Sequence, residues 1–320
     1  MPPINTMQYA QIFQKDLDRV MIAMLTSGWM EANAGQVIYT GGNTIKIPKI
    51  AMSGLGDYDR DNGYPTGAAS LDFESLTFSM DRGAMFQLDA QDVDETNFAA
   101  TAGNVMGEFQ RTMVVPEVDA YRYSKLAAIA IEASQAATGY TLNSTPPASE
   151  AGSLDPSNIF EYLTADIAAV QDVIGENEPI VVIMSILAGN ILNNAMKVNH
   201  YIEIGDGSFK SGEVETKVKT LNGVPLLFVP SSRMKTAYTY ADGITAGQTS
   251  GGFAPAMGAK QVHWIITSTR AAIAVTKTDI IRIFDPQTNQ KANAWRLDYR
   301  KYHDLWVPDN KKPSLYARTA

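Results

Sequence analysis

Residues 57–123 read DYDRDNGYPTGAASLDFESLTFSMDRGAMFQLDAQDVDETNFAATAGNVMGEFQRTMVVPEVDAYRY, and this stretch decides how the chain is organised. An acidic, glycine-rich loop leads into a strand-like run, and that run leads into a long helix with Val115-Pro116 in its middle. This order predicts an arm that projects from a helical spine rather than a closed binding pocket. No catalytic constellation accompanies the stretch, so the pattern is typical of a domain that associates with copies of itself.

The sequence on either side of this stretch extends the arm and the spine. Residues 44–48 alternate like a strand and residues 73–88 alternate again, so the two runs predict one long β-hairpin about a polar tip. That hairpin has too little apolar content for a core of its own and needs another surface to lie on. An amphipathic helix is predicted over residues 7–27. The spine helix is predicted to start at Asp94-Glu95-Thr96 and to stop or kink at Pro116.

The second half of the chain predicts a mixed α+β body. After a loop over residues 138–153, an apolar stripe ending at Gly175 predicts a helix, and residues 179–184 predict a short buried strand. Residues 185–196 read as another helix, Asn222-Gly223 as a turn, and the chain is strand-rich from Val262 onward. The fold class is therefore α+β.

Composition excludes several classes of protein. A chain of 320 residues with 45% hydrophobic residues can bury one large core or two medium ones. It contains no cysteine, which removes disulfides, zinc-thiolate sites and thiol nucleophiles. The sequence shows neither a transmembrane stretch nor a signal peptide. A net charge of −8 argues against a general nucleic-acid coat, because phosphate binding needs a basic surface.

The charge is distributed unevenly along the chain. Residues 57–95 hold ten acidic and two basic residues, whereas residues 260–320 hold eleven basic and five acidic residues. Segments of opposite sign can meet, either within one subunit or between neighbouring subunits. The alternative is two separate solvated faces, and the sequence leaves both interpretations open.

Acidic motifs offer two candidate sites, each with a simpler explanation. Residues 92–96 (DVDET) have the spacing of an aspartyl-nucleophile phosphatase but lack the apolar strand before it, and acidic helix capping explains them as well. Asp57, Asp59 and Asp61 match the first three ligands of a calcium loop, yet the glycine is displaced and Ala68 replaces the last ligand. A solvated acidic turn is the alternative there.

The remaining candidates are histidines and an aromatic-basic patch. The three histidines lie far apart, and His263 is predicted to be a hydrogen-bonded core or edge residue. No nucleophile elbow, Walker A loop or complete dinucleotide fingerprint is present, so no cofactor and no enzyme activity are expected. The aromatic-basic patch consists of Tyr299, Tyr302 and Trp306 among Arg296, Arg300 and Lys301. Because these residues have the spacing of a strand, the pattern favours cross-strand packing over nucleic-acid binding.

Four stretches in this order resemble the major capsid proteins of tailed bacteriophages, which share the Hong Kong 97-like fold. They are GDYDRDNGYPTG; MDRGAMFQLDAQDVDET with VVPEVDAYRYSKLA; KVKTLNGVPLLFVPSSRM; and IRIFDPQTNQKANAWRLDYRKYHDLWVPDNK. The resemblance covers most of residues 45–312 and is carried by the order of the four stretches. It implies an N-terminal arm, an extended β-hairpin loop, a long spine helix, and peripheral and axial domains.

The resemblance also implies where these parts lie along the chain. They are an N-terminal arm at 1–33, the extended loop at 34–90, the spine helix and first part of the peripheral domain at 91–138, the axial domain at 139–285, and the return to the peripheral domain at 286–320. In this arrangement the acidic loop of one subunit is expected to lie on a basic strand region of the next. The candidate contact residues are Asp57, Asp59, Asp61, Asp72 and Glu74 on the acidic side, and Arg296, Arg300 and Lys301 on the basic side.

The chain departs from parts of the family in two respects. Some members join subunits through a Lys–Asn isopeptide bond from a lysine on the extended loop, but the tip at residues 55–67 contains no lysine. We therefore expect no covalent crosslink and only the monomer band after boiling in denaturant. Some members carry a long cleavable scaffolding segment, whereas this chain begins at Met1 with a short arm. A separate scaffolding protein is the expected partner.

The function implied by the resemblance is a shell protein with no enzyme activity. It would assemble as hexamers and pentamers into an icosahedral head, together with a portal, around double-stranded DNA bound without sequence-specific contacts. Assembly would take place in the bacterial host cytoplasm, without a membrane, and the product would be a virion capsid. The alternatives are an encapsulin-like nanocompartment shell, which shares the fold, and a metal- or phosphate-dependent enzyme built on residues 92–96.

Overall fold

The computed structural model describes residues 25–39, 42–61, 63–91, 102–144, 152–198, 205–211, 214–289 and 291–320. Most of the helix predicted over residues 7–27, the predicted helix start at residues 94–96, the phosphatase-like motif at residues 92–96 and His200 lie outside the described residues. Within the described part of the chain, no helix is long and apolar enough to cross a membrane.

The arm is a three-stranded unit dominated by one hairpin. Strands β2 (Thr44–Met52) and β3 (Ala69–Thr77) pair antiparallel along their full length, from Thr44 opposite Thr77 to Met52 opposite Ala69. The two-residue strand β1 (Ile38–Tyr39) pairs with the start of β2. The hairpin predicted from the sequence is therefore present, although its second strand is shorter than expected.

The prediction of one strand over residues 73–88 is wrong. The strand breaks at Phe78-Ser79, and residues 80–89 form a separate strand, β4 (Met80–Asp89), which pairs with β16 (Ala294–Trp306) instead of with the hairpin. Phe78 is buried, and Ser79 hydrogen-bonds to Asp304 through both its backbone N–H and its hydroxyl. These contacts turn the chain out of the hairpin, and they cannot be read from alternation alone.

A second sheet connects the arm to the body. Its order is β15-β16-β4, with β15 (Ile273–Phe284) antiparallel to β16, and β16 antiparallel to β4. Along β4, residues that are buried or half-buried alternate with exposed ones, because successive side chains of a strand point to opposite faces. One face packs on the long helix through Phe86, Leu88, Leu297 and Tyr299.

The long helix runs from residue 102 to residue 132, and we call it the spine helix. It consists of α1 (Ala102–Phe109), a π-helical segment (Gln110–Val114) and α2 (Val115–Glu132). Pro116 does not end the helix, so of the two expected outcomes, a stop or a kink, the stop is wrong. The N–H of Val115 bonds to the carbonyl five residues back at Gln110. This wider turn places the proline at the first turn of α2, where its missing N–H is tolerated.

The body is a seven-stranded mixed sheet with helices on it. The sheet order is β5 (Ala136–Ala137), β17 (Tyr316–Thr319), β14 (Val262–Ser268), β8 (Ile180–Ser185), β11 (Val224–Val229), β10 (Val214–Leu221) and β9 (Gly205–Ser211). Every residue of the central strands β8 and β14 is buried, as expected for strands covered on both faces. The helices are α3 (Ile159–Ile174) and α4 (Ile186–Val198).

Most predictions for this half are confirmed. The apolar stripe of α3, the strand β8 and the helix after it occur where periodicity places them, and Gly175 follows the last helical residue. Asn222 and Gly223 both have positive φ, at 50° and 81°, as a two-residue hairpin turn between β10 and β11 requires.

The smaller elements complete the architecture. Strands β6 (Thr141–Leu142) and β7 (Ser153–Leu154) form a parallel pair, and β12 (Tyr238–Tyr240) and β13 (Phe253–Pro255) an antiparallel pair. In the described ranges, 3₁₀ helices lie at Gly28–Gln36, Ser231–Arg233 and Asp309–Ser314. One large apolar cluster lies between the spine helix and one face of the seven-stranded sheet, and a second joins α3 and α4 to the strands.

Candidate functional site

The outer part of the hairpin is the most exposed apolar feature of the described chain. Seven large apolar or aromatic side chains on it are exposed in the subunit: Ile50, Met52, Leu55, Tyr58, Tyr64, Leu71 and Phe73. A large exposed apolar patch marks an association surface in a protein of this size. A two-stranded hairpin also gains independent stability only when it packs on something else. The hairpin is therefore the candidate functional site, and it fits a surface contact rather than a reaction.

The tip of the hairpin is an ordered acidic turn. The backbone N–H of Gly63 donates to the carbonyl of Asp59 at 2.8 Å, and the Asp59 N–H donates back at 3.2 Å. A side-chain oxygen of Asp59 also accepts the N–H of Asp61 at 2.9 Å, while Tyr58 and Tyr64 contact edge to face. Gly63 has φ +83°, a conformation that side-chain-bearing residues rarely adopt. The acidic residues thus shape the turn and remain exposed.

The rest of the acidic set lies on β3. Asp72 is exposed and stands opposite Lys49, and Glu74 is half-buried opposite Ile47. Among the residues that the structure describes, no group of three or more His, Asp or Glu side chains is placed to hold a metal ion.

The three basic candidates pair within their own sheet. Arg300 forms a two-pronged ion pair with Asp81 (2.9 and 2.6 Å), and its guanidinium hydrogen bonds hold the pKa of Asp81 below its usual range. Arg296 pairs with Asp298, its neighbour two residues along the strand. Lys301 is only 3% exposed and pairs with a carboxylate of β15, Asp279. Arg296 and Arg300 are therefore the two accessible cations of this set, and their contact with an acidic loop stays a prediction.

The aromatic residues near these cations pack inside the subunit. Tyr299 lies in the apolar cluster under the spine helix, and Tyr302 and Trp306 are 8% and 6% exposed. Their burial agrees with packing inside the subunit as the role of these aromatic residues. His263 is likewise buried, with Nε2 at 2.8 Å from the carbonyl oxygen of Tyr140, as predicted for a core histidine.

The base of the hairpin is fixed by a cluster that we call the hairpin anchor: Ile45, Phe78, Tyr302 and Trp306. The ring of Phe78 lies 5.2 Å from that of Tyr302 and 5.0 Å from that of Trp306. Beside these rings lies the carboxylate of Asp304, which is fully buried and bonded to both the hairpin and the spine helix. The sequence analysis did not single out Asp304. The feature that could have indicated it is an acidic residue within a strand that is otherwise rich in apolar residues.

A buried histidine next to Asp304 makes the subunit sensitive to acid. Burial lowers the pKa of His303 well below 6.5, and the positive charges of Arg122, Lys301 and Lys125 lower it further. The unfolded chain therefore binds a proton near pH 6.5 and the folded subunit does not. Consequently the stability is complete above pH 6.5 and is lost as the pH falls below that value toward the folded pKa.

We predict that His303→Gln reduces the pH dependence of stability below pH 6.5. The contribution of one such histidine is up to about 1.4 kcal/mol per pH unit. Urea unfolding between about pH 7.5 and 5.5 measures the slope. His263→Gln is the comparison, because burial lowers the pKa of that residue too, at a separate place in the fold. A His303→Gln protein with the full wild-type slope would contradict the assignment.

The architecture defines a class: a mixed α+β fold in which a hairpin arm projects from a body whose seven-stranded sheet packs against one long helix. No protein-family model matches the chain, and no curated protein matches it in sequence. Solved structures do match in fold. A chain of the asymmetric unit of the bacteriophage PhiM1 mature capsid is similar at a TM-score of 0.55 and 10% identity, over 88% of this chain and 83% of that one.

Two further structures agree. The capsid structure of the cyanophage P-SCSP1u matches at a TM-score of 0.56 and 9% identity, over 88% of this chain and 85% of that chain. A structure from Gordonia phage Cozz matches at a TM-score of 0.54 and 14% identity, over 88% of this chain and 82% of that chain. At such identities the likeness concerns the fold alone. The chain has the fold of phage capsid structures, and the resemblance seen in the sequence is confirmed at that level.

Proposed function

We propose that this chain is the major capsid protein of a tailed phage, with a Hong Kong 97-like fold and no catalytic role. The observation that carries the proposal is the hairpin, because it presents seven large exposed apolar side chains on a fold shared with phage capsid structures. Such a surface is stable in water when a neighbouring copy covers it. The structural neighbours named above come from phages, which favours a phage head over an encapsulin-like nanocompartment.

The parts of the fold have corresponding roles in this proposal. The hairpin within residues 34–90 is the extended loop, residues 91–138 contain the spine helix, and residues 139–285 form the axial domain. Residues 1–33 are the N-terminal arm, and residues 286–320 return to the peripheral domain. Subunits assemble as hexamers and pentamers in the host cytoplasm, with a separate scaffolding protein and a portal, and the head encloses double-stranded DNA. Repeated contacts in a closed shell make modest pairwise energies sufficient.

Negative-stain electron microscopy of the purified protein, with light scattering on the same fractions, tests the proposal. Closed polyhedral particles or capsomer rings are the expected result. A species that stays near the monomer mass of 34.8 kDa, at high concentration and with crowding agents, would overturn it.

The contact between acidic loop and basic strand gives a more detailed prediction. Reversing Arg296 and Arg300 to Glu together should lower the assembled fraction several-fold, because each charge would then repel the acidic loop of the neighbour. Lys301 is left unchanged, since reversal of a buried ammonium would unfold the sheet. Sedimentation of equal amounts of protein measures the assembled fraction.

Controls separate this effect from a general change in charge. Lys260→Glu alters the charge of an exposed lysine outside the proposed contact and should assemble normally. The in-chain pairs of Arg296 and Arg300 lie at the surface, where such pairs contribute little to stability, so the double variant should remain folded. Wild-type assembly by a folded double variant would exclude these two arginines from the contact.

A further inference from the structure

One buried carboxylate joins the hairpin to the spine helix. Asp304 has no exposed surface, and its two oxygens face different elements. Oδ2 accepts the backbone N–H and the hydroxyl of Ser79, both at 2.9 Å. Oδ1 accepts the hydroxyl of Tyr121 at 2.6 Å and the ammonium of Lys125, and both of these residues belong to α2.

The position of Ser79 allows its bonds to Asp304 to restrict the orientation of the hairpin. Ser79 lies in the break between β3 and β4, where the chain leaves the hairpin and enters the β15-β16-β4 sheet. Its hydroxyl is also 3.0 Å from that of Tyr121, so the turn is bonded to the helix directly as well as through Asp304. Bonds to both the backbone and the side chain of one residue restrict the orientation of the strand that follows from it.

The energetic contrast with the other links at the hairpin base is large. Lys49 reaches Asp309 at 3.2 Å, and Lys277 reaches the side chain of Asn43, but these links are exposed. Exposed pairs contribute little to stability. The bonds from Ser79 satisfy Oδ2 of a fully buried carboxylate, and their loss would leave that oxygen without these partners. Movement of the hairpin base away from Asp304 is therefore opposed more strongly than loss of the surface links.

We propose that Asp304 is a positioning residue that sets the direction of the hairpin relative to the spine helix. A displacement of α2 at Tyr121 and Lys125 is transmitted through this carboxylate to Ser79 and thus to the hairpin. The nine residues of each strand, at about 3.4 Å per residue, form an arm about 30 Å long. A rotation of about 10° at the base accordingly moves the end of the arm by about 5 Å.

Distance measurement by electron paramagnetic resonance tests the proposal on the full-length, unassembled subunit. The chain has no cysteine, so Thr66→Cys on the hairpin and Asn177→Cys on the body can be spin-labelled specifically. Both positions are exposed. We expect Asp304→Asn to shift or broaden the distance distribution by at least about 5 Å relative to the native subunit. Lys49→Ala, which removes a surface link, should leave the distribution unchanged.

Two milder variants keep the test decisive if Asp304→Asn fails to fold. Ser79→Ala and Tyr121→Phe each remove hydroxyl contacts of the network without deleting the carboxylate, and each should broaden the distribution in a folded protein. Asp304→Glu, which restores the charge, should lie closer to the native distribution than Asp304→Asn. Folded variants with native distributions would overturn the proposal and leave Asp304 a stabilising residue only.

The consequence for assembly rests on the proposed function, whereas the distance measurement does not. If the chain forms shells, the folded Asp304→Asn protein should give particles of mixed size or shape, because its hairpins no longer share one direction. If the wild-type chain forms no particles, the proposed function fails while the distance result still decides the role of Asp304.

Discussion

Replacing Arg318 by alanine is expected to lower the free energy of unfolding by about 3–5 kcal/mol, the range for breaking a buried ion pair. The guanidinium of Arg318 bonds to both oxygens of Asp166, at 2.9 and 2.7 Å, and both residues are buried. It also lies 4.2 Å from the ring centroid of Tyr140 and 4.7 Å from that of Tyr162. The substitution leaves the Asp166 carboxylate in the core without its cation and empties the space beside the two rings.

The position of Arg318 explains why the effect should spread through the body. Arg318 belongs to β17, which lies between β5 and β14, while Asp166 belongs to α3. Trp264 on β14 donates its indole N–H to the same carboxylate at 2.9 Å. One ion pair thus holds the C-terminal strand, a central strand and a helix in register.

Urea unfolding of a small set of variants measures the effect. Arg318→Lys should be intermediate, because lysine keeps the charge but loses the two-pronged geometry and the stacking. Arg111→Ala breaks an exposed pair with Glu108 and should change the free energy of unfolding little. A double-mutant cycle with Asp166→Ala isolates the pairwise energy. An Arg318→Ala loss no larger than that of Arg111→Ala would show that the buried pair is not a principal support of the sheet.

Shortening the hairpin should abolish assembly while the subunit stays folded. Lys49 and Asp72 are cross-strand partners, so residues 50–71 can be replaced by Asn-Gly, a two-residue turn that suits the twist of an antiparallel pair. The change removes six of the seven exposed apolar side chains and keeps the anchored base of the hairpin. Burial of one such side chain contributes about 1.5–3 kcal/mol, so loss of several should reduce association more than about a hundredfold.

The matched measurement compares stability and assembly on the same preparations. The free energy of unfolding should be nearly unchanged, because the deleted side chains contact little within the subunit. Leu55→Ser with Tyr64→Ser, in a hairpin of full length, should give an intermediate assembled fraction and so separate apolar burial from loop length. Shells formed at wild-type yield by the shortened protein would refute the role of the hairpin in assembly.

Local sequence patterns were sufficient to predict those helices, strands and turns that form whichever distant segments pack against them. The apolar stripe of α3, the continuous apolar run of β8 and the Asn-Gly turn each follow from neighbouring residues, and each was predicted correctly. Local patterns failed to predict the structure where two different strand arrangements have the same alternation of apolar and polar residues. Alternation over residues 73–88 suits one long strand as well as two strands with different partners.

Pro116 shows a second limit of prediction from sequence, in which packing outweighs a local backbone preference. The missing N–H and the ring clash of proline predict the end of a helix, or a kink in it. In the fold, the π-helical segment before Pro116 removes the conflict, and Val115 and Val118 hold the helix against the β15-β16-β4 sheet. Packing of the whole helix outweighs the local preference, which is weak compared with the burial of several side chains.

From its sequence alone, this protein is an α+β chain with an acidic projecting arm, a long helix and no recognisable catalytic motif, since periodicity, turn chemistry and charge are local properties. Only the tertiary structure decided that β4 pairs with residues more than 200 positions away, and that Asp304 joins the hairpin to the spine helix. The reason is that strand pairing and burial of a charge depend on which distant segments meet. That choice is made by the total apolar surface buried and by the hydrogen bonds that become available once water is excluded.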